Sequence, residues 1–150
     1  MQSELLFVYG SLRQAAGHPM HRVIEQHCDF FGDARIQARL YEVDGYPGAV
    51  DSQHINEQVL GELYRIREQQ QLFRELDEYE QCNDNYPQPH EYLRCIRNCT
   101  LLDSGQQVKA WFYLFTHNTE TLQRIDSGDW LAWCTSQHYN TPATTPQHSN

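Results

Sequence analysis

Five apolar residues in a row, Leu5-Leu6-Phe7-Val8-Tyr9, stop abruptly at Gly10-Ser11. A run this short, aromatic and β-branched in character and closed by turn formers, predicts a buried strand and not a helix. The rest of the chain supplies partners for it. Ile36, Ala38 and Leu40 alternate with polar residues as a half-buried strand does, and Val59–Ile66 reads as another strand. Tyr92–Leu102 and Val108–Thr116 form two more, joined by the hairpin signature Asp103-Ser104-Gly105-Gln106. Two segments carry helical spacing: Met20, Val23, Ile24 and His27, and then Leu72, Phe73, Leu76 and Tyr79 within Glu68–Tyr79. Asp44–Gly48 and Asn83–Pro89 are dense in turn formers and predict loops. Thr119–Ile125 reads as a short helix capped by Thr119 and ended by Ser127-Gly128-Asp129-Trp130. The order β-α-β-β-α-β-β mixes hairpins with crossovers and points to an α+β fold or a mixed barrel-like sheet. Residues 1–140 read as one domain, and 141–150, rich in Thr, Pro, Gln and Ser, as a disordered tail.

Charge narrows the partners. The 150 residues carry 11 Lys+Arg against 20 Asp+Glu, a net charge of −9, with Lys109 the single lysine. Nucleic acids and anionic membranes want clustered cations, so a small-molecule substrate is the better expectation. No apolar run approaches the roughly 20 residues that span a bilayer. The start Met1-Gln2-Ser3-Glu4 lacks signal-peptide features, which places the protein in the cytoplasm as an expectation.

Familiar catalytic patterns are missing: no G-x-G-x-x-G follows the first strand, and there is no phosphate-binding loop, H-E-x-x-H or G-x-S-x-G. Five cysteines without a C-x-x-C pair read as free thiols, Cys95 and Cys99 sharing one strand face. The histidines are scattered, and His18 and His21 read as surface residues of a Gly/Pro loop. No metal and no cofactor is expected. Two features remain. The turn at Gly10-Ser11 leaves successive amides free to form an anion-binding nest, although on pattern alone a plain tight turn is the better account. Glu80 follows Leu76-Asp77-Glu78-Tyr79 at a helix C-terminus, where the macrodipole opposes a carboxylate and favours its protonated form. That suits a general acid or base, but by itself Glu80 is one acid among 20.

These segments also carry a resemblance. Val8-Tyr9-Gly10-Ser11-Leu12-Arg13, Tyr46-Pro47-Gly48-Ala49-Val50, Gly61-Glu62-Leu63-Tyr64, Leu76-Asp77-Glu78-Tyr79-Glu80 and Ser127-Gly128-Asp129-Trp130-Leu131 stand in the order of the gamma-glutamylcyclotransferase-like superfamily. That group includes plant avirulence-induced and gamma-glutamylamine cyclotransferase branches, and this chain is most similar to its small bacterial, YtfP-type members. The resemblance covers the chain to about Trp133 and implies a small mixed β-barrel with flanking helices. It further implies that Tyr9, Gly10, Ser11 and Leu12 hold the substrate's α-carboxylate, that Glu80 is catalytic, and that Tyr92 and Tyr113 are pocket aromatics. Gln81 stands where the family usually has glycine, which puts the path of the following loop in question. Leu12 replaces an asparagine.

The chemistry the resemblance implies is cyclisation of a γ-glutamyl amine or peptide to 5-oxoproline. The substrate's own α-amine attacks its γ-carbonyl, so no protein nucleophile is needed. Two other readings stay open: a catalytically silent binding module that keeps the pocket, and an enzyme of the same fold cleaving a γ-glutamyl group within a biosynthetic pathway.

Overall fold

The structure, a computed structural model, describes residues 4–137; the expected tail lies outside them. Strands β1 (Leu5–Val8), β2 (Cys28–Glu42), β4 (Gln58–Ile66), β5 (Tyr92–Leu101) and β6 (Gln107–Phe115) pair in the cyclic order β2-β4-β1-β6-β5, and β5 returns to β2 through Ala34–Ile36. This closes a five-stranded barrel. The β1–β6 pairing at Leu6 and Trp111 is parallel and the others are antiparallel, so the barrel is mixed.

Alternation along the strands sorts side chains into two cores. Leu5, Phe7 and Tyr9 fill the barrel with Ile36, Leu63, Leu101 and Phe112. Leu6, Val8, Tyr64, Tyr113 and Phe115 point outward. There they meet Val23 and Ile24 of α1 (His21–His27) and Leu72, Phe73 and Leu76 of α2 (Gln69–Tyr79). The first strand is apolar on both faces because both faces are covered. Gly61 is required where β4 crosses β1, since a Cβ there would collide with the Val8 carbonyl oxygen and the Phe7 ring.

Four sequence expectations need correction. Gly48, and Pro47 before it, were expected in a loop; they belong to β3 (Pro47–Asp51), an edge strand on β2, whose first position tolerates a proline although it has no N–H to give the ladder. Thr119–Ile125 is not a helix. Its last residues form β7 (Gln123–Ile125), paired with Leu40–Glu42 and anchored by buried Ile125. Ser127–Asp129 ends no helix but starts one: Asp129 Oδ1 accepts the Leu131 and Ala132 amides and caps α3 (Trp130–Gln137). His21 is not a surface residue: the first residue of α1, it is buried, and its Nδ1 lies 2.7 Å from the Leu12 carbonyl oxygen.

Candidate active site

The site begins with the spacing of α2. Leu72 and Leu76 lie four apart on the buried stripe, and the next position in that series is Glu80, the C-cap. Its amide donates to Leu76 O at 2.8 Å and its side chain is buried, 1% exposed. The helix then terminates in a Schellman turn, with Gln81 N donating to Glu78 O and Cys82 N to Asp77 O. That turn needs a left-handed residue, and Gln81 supplies it with φ 58°. The chain thus takes, with glutamine, the conformation that glycine adopts most readily.

The second component is the turn after β1. Arg13 N donates to Gly10 O at 3.0 Å, closing it. Tyr9 and Leu12, with Phe7, Val8 and Tyr113, line a small cavity whose remaining wall is Glu80. Residues separated by some 70 positions in sequence therefore meet around one space. It holds only about 10 Å³, roughly one water molecule. Gly10 and Ser11 form the turn behind it, and Ser11 Oγ is 3.1 Å from the Tyr79 hydroxyl. Buried Glu62 braces the turn from β4: its Oε1 accepts the Gln14 amide at 2.8 Å and the Tyr64 hydroxyl at 2.7 Å. Arg13 Nε lies 3.6 Å from the other carboxylate oxygen of Glu62, and Arg13 also donates to Asp129 at 3.1 Å.

Tyr113 reaches the same cavity from β6, and its hydroxyl donates to Asp77 Oδ1 at 2.7 Å. Burial, with the charges of Asp77 and Glu80 adding to it, holds that phenol well above its ordinary pKa. The Cys82 thiol is pushed up to about 12 by burial and by the same two carboxylates. Tyr92 packs behind the cavity and is not part of its lining. Its ring lies against Tyr46 and Phe115, and its hydroxyl donates to Pro47 O at 2.5 Å. The Tyr9 hydroxyl donates to Tyr113 O at 2.8 Å and accepts the Ala49 amide at 3.3 Å.

Sequence reasoning missed the ion pair beside these groups. Arg94 donates to both oxygens of Asp77, each at 3.0 Å, with its guanidinium 3.9 Å from the Phe73 ring centre and 4.8 Å from that of Trp111. The clue was available: Asp77 follows Phe73 by four residues, and Arg94 follows Tyr92 by two, so both lie on the faces that pack between α2 and the outside of the barrel.

On its other side Glu80 borders a wider, outward-opening cavity of about 350 Å³, lined also by Tyr46, Gln81, Tyr86, Pro87, Pro89, His90, Glu91 and His117. Among the described residues no group of three His, Cys, Asp or Glu side chains is placed to hold a metal ion. No helix among them is long and apolar enough to cross a membrane.

Residues 6–132 match the family described as gamma-glutamyl cyclotransferase, AIG2-like. The chain is 32% identical over 127 residues to the gamma-glutamylcyclotransferase family protein YtfP of Escherichia coli K12, covering 84% of this chain and 95% of the relative. It is 29% identical over 124 residues to a gamma-glutamylaminecyclotransferase of Bos taurus, covering 73% and 70% of the two chains. The crystal structure of an AIG2-like protein from Mus musculus superposes with a TM-score of 0.64 at 25% identity, covering 84% of this chain and 88% of that one.

Proposed function

Because the chain belongs to the gamma-glutamyl cyclotransferase, AIG2-like family, we propose that it converts a γ-glutamyl amine or peptide to 5-oxoproline, with Glu80 as general acid and base. The observation that carries this reading is the meeting of a buried carboxylate with the turn after β1 across one cavity. The substrate's α-carboxylate lies against the Gly10–Leu12 amides, and its γ-carbonyl faces Glu80. The small cavity, about 10 Å³, must widen to admit the glutamyl group.

The chemistry asks little of the protein beyond position and a proton. Glu80 takes a proton from the α-ammonium, the freed amine attacks the γ-carbonyl, and a C–N bond forms as the ring closes. The bond to the departing amine then breaks as Glu80 returns the proton to it, and the ring nitrogen gives up its remaining extra proton to water to leave the neutral lactam. Holding the glutamyl chain in its folded, reactive shape supplies up to roughly 7–11 kcal/mol of the barrier. Glu62, through Arg13 and Gln14, keeps the turn in place without touching substrate.

The test is 5-oxoproline release from a panel of γ-glutamyl amines, dipeptides and glutathione by the wild type and by Glu80→Gln. The amide keeps the shape of the side chain and cannot accept the proton, so turnover should fall about 10²- to 10⁴-fold with binding retained. A wild type that binds such compounds and turns over none would make the protein a binding module. A fully active Glu80→Gln would take the role away from Glu80.

A further inference from the structure

Resting on the cyclotransferase reading, we propose that the outer cavity receives the departing amine and selects one bearing a distal ammonium group over one bearing a carboxylate. The cavity shares Glu80 with the inner one, so a substrate whose γ-carbonyl faces that residue directs its glutamyl end inward and its amine outward. About 350 Å³ is room for an amine of several carbons.

The lining sets its charge. Glu91 contributes a carboxylate, with that of Glu80 buried beneath the wall, Tyr46 and Tyr86 contribute aromatic rings, and His90 and His117 imidazoles; no lysine or arginine is among the lining residues. Tyr46 donates to Glu91 Oε1 at 2.6 Å, which fixes that carboxylate at the cavity wall. The Tyr46 phenol is held above its ordinary pKa by burial, then by its bond to Glu91 and the charges of Glu91, Asp44 and Glu80. The cations of the β5–β6 hairpin are engaged elsewhere, Arg97 among them on Asp51. Arg94 is bidentate on Asp77, and Lys109 bonds Asn98 toward the far end of the β5–β6 hairpin. A distal ammonium would find carboxylate and aromatic partners. A distal carboxylate would meet like charge with no lysine or arginine in the lining to offset it.

The experiment compares three γ-glutamyl amides of matched length: of a four-carbon diamine, of pentylamine and of δ-aminovaleric acid, ending in ammonium, methyl and carboxylate. Assays run at pH 8, above the titration range of an ordinary imidazole. We expect kcat/KM to fall in that order, the first exceeding the last by on the order of tenfold or more. The ratio should shrink with added salt and in Glu91→Gln, whose folding is checked by thermal melting. Equal rates, a preference for the carboxylate, or a ratio unmoved by both salt and Glu91→Gln would overturn the proposal. If the wild type turns over none of the three, the cyclotransferase reading has failed, and the same ranking is then read as binding by calorimetry, where the same outcomes decide.

Discussion

Arg94 holds Asp77 through two hydrogen bonds of 3.0 Å, one helical turn before Glu80. The pair ties β5 to the last turn of α2, and Tyr113 adds β6 through the same Asp77 oxygen. Asp77→Ala should therefore destabilise the protein by about 2 kcal/mol, between a surface and a buried pair. Tyr113→Phe, which removes one hydrogen bond and leaves Arg94 on Asp77, should cost about 1 kcal/mol. Urea denaturation of both variants checks the order. If Tyr113→Phe proves the more damaging, the ion pair is not what fixes the end of α2.

Gln81 gives a prediction of the opposite sign. A non-glycine residue in the left-handed region costs roughly 1–2 kcal/mol, part of which glycine returns as greater freedom in the unfolded chain. Gln81→Gly should raise stability by about 0.5–1 kcal/mol, seen as a higher melting temperature. An unchanged or lower melting temperature would mean that the glutamine side chain contributes something at the mouth of the outer cavity that offsets its backbone strain.

Gly61→Ala tests the crossing of β4 over β1. The added methyl meets the Val8 carbonyl oxygen and the Phe7 ring, and neither can retreat without displacing β1. Overpacking of this kind costs about 1–3 kcal/mol. Because β1 leads directly into Tyr9 and the turn, activity per folded molecule should fall as well. A variant that melts like the wild type would show that the barrel yields more readily than its packing suggests.

His27 links α1 to α2 through Glu68 on one ring nitrogen and Glu75 on the other, each at 3.0 Å. Desolvation lowers the pKa of its imidazole, but the two carboxylates outweigh it and leave the value raised above 6.5. A raised folded-state pKa means that the protonated form favours the fold. Its contribution is complete below 6.5 and is lost as pH rises through the folded value. For partners this exposed the amount is a few tenths of a kcal/mol. His27→Gln should flatten that part of the stability-versus-pH curve, measured by chemical denaturation between pH 5 and 8.

The barrel strands and α2 were legible because their residues alternate or recur at helical spacing. β3 was hidden because Tyr46-Pro47-Gly48 reads as a turn, while a leading proline is tolerated on an edge strand. The first half of β2 was hidden by a bulge between Phe30 and Gly32 that breaks its alternation, and by exposed Phe30. At the site, Glu80 could be read from its place in the Leu72, Leu76 series, but its enclosure depends on Phe7, Tyr9, Leu12 and Tyr113, which only the closed barrel brings there. The ion pair of Asp77 with Arg94 joins segments 17 residues apart through tertiary packing alone.

β2 is a single rod of 15 residues that serves two masters. Up to Gln37 it is a stave of the barrel; from Ala38 it carries β3 and β7 as an outrigger. That outrigger supplies the Pro47 carbonyl to Tyr92 and the Ala49 amide to Tyr9. Losing or gaining one residue just past Gln37 would leave the stave intact while turning Leu40 and Tyr41 over. The pairing up to Gln37 would remain, but the outrigger would be inverted, Leu40 would leave the core it shares with Phe7 and Leu63, and the struts to Tyr9 and Tyr92 would be cut. A length change in the exposed Leu102–Gln106 turn touches neither core nor strut, whereas at this one joint it reaches both.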